Sequence, residues 1–178
     1  PGLRILELGC GDGALWAQNI QLLPQDISIT LSDLSSGMIR DARRALGQKD
    51  KRFSFEVFDC AKIPHKDCNF DLVIANHVLF YCEDIPAVCN EIQRVLVPGG
   101  KLICSTYGSH HMQEVSQLVQ DFDNRIVLSA DRLYERFGRE NGADILAPYF
   151  SDISWESYND SLLVPDAEPL ISYILSCH

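Results

Sequence analysis

Hydrophobic and polar positions along the chain fall into short blocks whose period changes repeatedly. Leu3, Ile5, Leu6 and Leu8 cluster as in a short buried parallel strand. From Ala14 the pattern turns helical, with Leu15, Ile20 and Leu23 preceding Pro24, which ends the helix. Ile27 to Leu31 read as a second strand that ends at Ser32-Asp33. Ser35 or Ser36 caps a helix whose Met38, Ile39, Ala42 and Leu46 recur at helical spacing. Phe53, Phe55 and Val57 alternate as a third strand running to Asp59, and Phe70 to Ala75 form a nearly all-apolar fourth. Asp84 caps a helix with Pro86 in its first turn and Val88, Ile92, Val95 and Leu96 on one face. Pro98-Gly99-Gly100 ends that helix, and Lys101 to Thr106 form strand five. Strands alternating with helices predict βαβ units, hence an α/β doubly wound parallel sheet covered on both faces.

Beyond Thr106 the pattern is less regular. Val115, Leu118, Val119 and Phe122 predict a helix beginning near His110. A second helical stretch runs from about Ala130 to Glu140, with Asn141-Gly142 closing it in a left-handed cap. Phe150 to Tyr158 read as strand six, on the alternation of Ile153 and Trp155 with polar neighbours. Asp166 caps a last helix bearing Leu170, Ile171, Ile174 and Leu175. The stretch 107–148 exceeds what a crossover needs, so a helical cap over the ligand end of the sheet is expected there.

Composition narrows the classes. A chain of 178 residues, 46% hydrophobic and 22% charged, suits one globular domain over 1–178. No apolar run approaches the ~20 residues of a membrane span, and no secretory leader is expected before the first strand. The seven cysteines are odd in number and lack CxxC pairs, which favours reduced thiols and a cytoplasmic setting over a disulfide framework or a metal site. A net charge of −10 excludes nucleic acid as the expected partner, since phosphates demand a basic face. Chemistry on a small molecule remains.

The informative stretch follows the first strand. Glu7 ends it, and Gly9, Gly11 and Gly13 alternate behind it before the helix at Ala14. Glycine is needed where backbone turns sharply or lets a ligand approach closely, and a strand, glycine turn and helix start together make a nucleotide-cradling element. A ligand-free βα turn is the plainer alternative. Gly9-x-Gly11-x-x-Ala14 also satisfies a dinucleotide fingerprint, with Asp33 about where a ribose-binding acid stands. Glu7 ahead of the glycines, Asp59 after strand three and the lack of a Tyr-x-x-x-Lys pair weigh against an NAD-dependent oxidoreductase.

Glu7-Leu-Gly9-Cys-Gly11-Asp-Gly13, Asp33 closing strand two and Asp59 closing strand three together resemble the class I S-adenosylmethionine-dependent methyltransferases. Phe70-Asp-Leu-Val-Ile-Ala-Asn76 and Leu96-Val-Pro98-Gly99-Gly100 match that family's fourth- and fifth-strand motifs, nearest to its small-molecule type 11 branch. The resemblance covers residues 3–106 firmly. It implies a Rossmann-like sheet of order 3-2-1-4-5 with strand six beyond. Family members carry a helix before strand one and an antiparallel strand seven, so truncation at both ends is expected.

The resemblance also assigns roles. The loop of Glu7, Gly9, Cys10, Gly11 and Gly13 would lie against the methionine moiety and ribose of S-adenosylmethionine. Asp33, followed by Leu34, would accept both ribose hydroxyls, a task a carboxylate suits because it offers acceptors to both at once. A helix cap is its structural alternative. Asp59 would accept the adenine amino proton, with the Cys60 and Ala61 amides near the ring, although an ordinary turn aspartate fits too. Met38 and Ile63 would sandwich the adenine or belong to the core, and Asn76 would face the amino group of the cofactor.

Methyl transfer is an in-line displacement at a sulfonium, in which the enzyme aligns the acceptor and excludes water. A general base is needed only if the acceptor must lose a proton. His77 and Tyr81 past strand four, and His110 and His111 past strand five, are the candidates, each with a bland alternative as loop polar group, pocket wall or helix start. Tyr107, His110, His111 and Met112 would contribute to acceptor selection. A protein that binds the cofactor without transferring methyl groups remains the alternative function. Carbon, nitrogen, oxygen and sulfur acceptors are all compatible with the sequence.

Overall fold

The computed structural model describes residues 2–47, 50–126, 132–158 and 160–176. Two compact units divide the chain between Thr106 and Tyr107, where the sequence pattern becomes irregular. In the first, β1 (Arg4–Leu8), β2 (Ser28–Asp33), β3 (Phe53–Val57), β4 (Phe70–Asn76) and β5 (Leu96–Ser105) form one parallel sheet. Its order is β3-β2-β1-β4-β5, as expected. Ile5 pairs with Ile29 on one side and Leu72 on the other, which puts β1 at the centre. Leu6, Ile29, Leu31, Val73 and Ala75 have no solvent exposure, the physical reason these strands read as continuous apolar runs.

Helices α1 (Ala14–Asn19), α2 (Ser36–Leu46) and α3 (Ile85–Val95) complete this unit. Ser35 is the cap of α2, its Oγ accepting from the Met38 amide at 3.4 Å. Asp84 caps α3 by accepting from the Ala87 amide at 2.9 Å. Helix α1 buries Trp16 and leaves Leu15 exposed, so the apolar face lies one residue beyond the expected one. Pro98-Gly99-Gly100 lies inside β5 and does not separate it from α3. Leu96 is already extended and pairs with Phe70, and the pairing resumes at Leu72 with Lys101 after the turn bulges out.

The second unit holds α4 (Gln113–Phe122), α5 (Leu133–Arg136), α6 (Gly142–Leu146) and α7 (Ala167–Ser176). Helix α4 starts later than His110, because Met112 adopts a left-handed conformation (φ 55°) just before it. Ala130 lies outside the described residues, and the helix expected up to Glu140 stops at Arg136, where Phe137 turns extended. Asn141-Gly142 opens α6 and closes nothing. The Asn141 side chain accepts from the Gly138 amide and donates to the Glu135 carbonyl, each at 2.7 Å, which holds the bend between the two helices. Phe150 to Tyr158 form no strand. The Trp155 ring is drawn against Gly142 instead, so the alternation there reflects one anchored aromatic side chain and not a sheet. Among the described residues no helix is long and apolar enough to cross a membrane.

Candidate functional site

At the carboxyl end of β1 the chain turns through Gly9 and Gly11, both left-handed, with φ of 66° and 56°. A Cβ on Gly9 would stand 2.6 Å from Val78 Cγ2, so this turn packs directly on the segment that follows β4. A Cβ on Gly11 would meet nothing within 4 Å, which leaves open room against the backbone there. The Cys10 amide donates to the Ser32 carbonyl at 2.9 Å, and Ser32 Oγ donates to the Glu7 carbonyl at 2.7 Å. These bonds tie the turn to the end of β2.

Asp33 ends β2 beside the turn. Its Oδ2 accepts from the Gly11 amide at 3.1 Å and its Oδ1 from the Ser35 amide at 2.8 Å. One amide per oxygen orients the carboxylate and still leaves each oxygen a further acceptor site. Asp33 thus braces the start of α2 and the glycine turn, the structural role considered for it, with both carboxylate oxygens beside that turn.

Glu7 lies beneath. Its side chain is 3% exposed and accepts from the Trp16 indole at 2.5 Å. Burial pushes its carboxyl up to about 7, and the Trp16 hydrogen bond opposes that only in part. The Cys10 thiol is pushed up to about 12, chiefly by burial and then by the charges of Glu7 and Asp33. Cys10 therefore takes part as backbone and not as a nucleophile.

Past β3, Asp59 is exposed and accepts from the Ala61 amide at 2.9 Å, folding Asp59-Cys60-Ala61 into a tight turn. Ile63 is buried (3% exposed), which assigns it to the core. This loop is held from below by a residue that the sequence reading passed over. Arg94, near the end of α3, donates to the Ile63 and His65 carbonyls at 2.9 and 2.7 Å, and pairs with Glu91 and Asp67. Those carboxylates hold its guanidinium above the ordinary arginine range. Only the Glu91–Arg94 helical spacing hinted at this knot. Arg94→Ala is expected to lower stability by about 2 kcal/mol, since two carbonyls and two carboxylates lose their donor. Urea denaturation checks this, and a change below about 0.5 kcal/mol would reject the bracing role.

Asn76 ends β4, and His77 follows it in a left-handed conformation (φ 50°), exposed, its amide donating to the Ser105 carbonyl at 3.1 Å. Tyr81 is 64% exposed, with its ring edge-on to Phe80. Met38 and Leu34 are also exposed, Leu34 just past Asp33 and Met38 in the first turn of α2. His111 belongs to the second unit, where its ring lies 4.8 Å from that of Tyr107. The first unit thus gathers Gly9, Gly11, Asp33, Asp59, Asn76 and His77 at the carboxyl ends of its strands. Among the described residues no group of histidine, cysteine and acidic side chains could hold a metal ion.

A family model described as a methyltransferase domain matches residues 6–104. The malonyl-(acyl-carrier protein) O-methyltransferase of Serratia marcescens is 29% identical over 126 residues, covering 69% of this chain and 46% of the relative. The chain spans less than half the length of this and the other leading curated relatives. Among solved structures, an S-adenosylmethionine-dependent methyltransferase from Mesorhizobium loti matches with a TM-score of 0.53 and 30% identity, over 62% of this chain and 49% of that one. The (4+2)-cyclase SpnF matches with a TM-score of 0.51 and 30% identity, over 58% and 38% of the two chains.

Proposed function

The chain belongs to the methyltransferase-domain family, and on that premise we propose that it transfers the methyl group of S-adenosylmethionine to a small organic acceptor. When bound, the cofactor supplies a methyl carbon on a positively charged sulfur, open to in-line displacement. The observation that carries the reading is the Asp33 carboxylate, oriented by the Gly11 and Ser35 amides beside the open face of the glycine turn. That arrangement fits a ribose, whose two hydroxyls need paired acceptors next to backbone that a Cβ would block.

In this reading the Gly9–Gly13 backbone receives the methionine moiety and ribose. Leu34, just before α2, and Met38, in its first turn, cover the adenine, Asp59 accepts its amino proton, and the Cys60 and Ala61 amides border the ring. Asn76 offers its main-chain carbonyl to the amino group. His77, Tyr81 and His111 are the candidates for a general base, should the acceptor need one. In the stretch 107–148, Tyr107, His110, His111 and Met112 offer stacking, proton transfer and adaptable apolar contact, the chemistry that acceptor selection needs. A cytoplasmic setting belongs to the same reading, on the odd and scattered cysteine count.

The second reading is a cofactor-binding protein without methyl transfer, favoured by the likeness to a (4+2)-cyclase. Titration calorimetry with S-adenosylmethionine, its demethylated product and NAD is the first test. Binding of the first two and not of NAD is expected. Incubation with mixed small acids, amines, thiols and phenols should then release S-adenosylhomocysteine. Binding without release across the acceptor set would favour the second reading, and binding of NAD alone would reject both.

A further inference from the structure

The loops after β3 and β4 bring two thiols together at the same edge of the sheet. Cys60 Sγ and Cys82 Sγ lie 3.3 Å apart, although the residues are 22 positions apart in sequence. Both are half-buried, and neither is bridged. Cys82 Sγ also lies 3.5 Å from the Val78 carbonyl, to which it can donate while it accepts from Cys60. Two thiols at this separation need only about 1.2 Å of approach to reach the roughly 2.05 Å of a disulfide bond.

We propose that Cys60 and Cys82 form a reversible disulfide by exchange with low-molecular-weight disulfides, and that the bridge weakens cofactor binding. The Cys82 thiolate attacks one sulfur of the small disulfide, which expels one thiol and leaves a mixed disulfide on Cys82. Cys60 then gives up its proton and attacks Cys82 Sγ, releasing the second thiol. Two protein thiols are oxidised and one small disulfide is reduced to two thiols. The order of attack follows from the contact itself: hydrogen bonding to Cys82, with burial, holds the Cys60 proton well above the ordinary thiol range.

Both cysteines sit in turns at the carboxyl ends of the strands. Cys60 sits in the turn set by Asp59, and Cys82 closes the short 3-10 turn Leu79–Tyr81 that follows Val78. Val78 is the side chain seated on Gly9, so drawing Cys82 toward Cys60 pulls on the glycine turn and on the Asp59 turn together. The effect on binding rests on the cofactor reading above; formation of the bridge does not.

The test uses oxidised glutathione on the full chain, differential alkylation with peptide mapping, and calorimetry with S-adenosylmethionine. A Cys60–Cys82 cross-link is expected in the unaltered protein and in neither Cys82→Ser nor Cys82→Ala. The bridged form should bind at least fivefold more weakly, and dithiothreitol should restore the affinity. Persistent glutathione adducts without a cross-link would overturn the proposal, as would a bridged protein of unchanged affinity. If the reduced protein binds no S-adenosylmethionine, the cofactor reading fails and the regulatory half of the proposal with it, while peptide mapping still scores the bridge.

Discussion

Asp33→Ala is expected to weaken S-adenosylmethionine binding by about 2–4 kcal/mol, from thirtyfold to several hundredfold, through the loss of two charge-assisted hydrogen bonds. The carboxylate also accepts from the Gly11 and Ser35 amides, so part of the loss comes through the glycine turn. Comparing calorimetric affinity with melting temperature in the same variant separates the two. A lowered melting temperature with unchanged affinity would make Asp33 a brace for α2 and remove it from the site. The demethylated product should lose as much affinity as the donor, because the ribose is common to both. Unequal losses would place Asp33 nearer the sulfonium than the sugar.

Glu7→Gln is expected to stabilise the protein at pH 8 and to flatten its pH profile. The folded-state carboxyl is raised from 4.5 to about 7, so folding takes up a proton between those values. The stability that Glu7 contributes is complete below about pH 4.5 and is lost as pH rises through about 7. Each pKa unit corresponds to about 1.4 kcal/mol, which makes the full loss about 3 kcal/mol. Glutamine keeps an oxygen for the Trp16 indole and carries no charge to desolvate. The variant should therefore match the parent near pH 4.5 and exceed it by about 3 kcal/mol at pH 8, in urea denaturation followed by tryptophan fluorescence. Parallel profiles for the two proteins would reject the assignment.

The sheet and its glycine turn were legible in the sequence because buried parallel strands print as apolar runs and a positive φ demands glycine. The caps Ser35 and Asp84 follow from such local chemistry, whereas the strand order came from the resemblance of the motifs to a known family. Trp16 was missed because α1 has six residues, less than two turns, and so short a helix does not reveal its buried face by period. Phe150–Tyr158 misled because a single anchored tryptophan imitates alternation. The positions of Asp33 and Asp59 could be read from the strand ends, whereas the amides that orient Asp33 could not. Contacts such as Arg94 to the Ile63 carbonyl, 31 residues away, or Cys60 to Cys82 depend on how loops meet in space. No local pattern records them.

The central place of β1 sets the order in which the molecule can assemble. Its neighbour β2 follows closely in the chain, but its other partner, β4, is anchored to it by Arg4 and Asp71, 67 residues apart. Synthesis delivers β1, β2 and β3 before β4, so a nascent chain holds part of a sheet with one edge of β1's backbone still unpaired. Closing so long a loop between parallel strands is slow compared with forming helices. The strand that carries the glycine turn is thus made well before its second partner can secure it. Its bare edge is what a chaperone, or a second unfinished chain, meets during that interval.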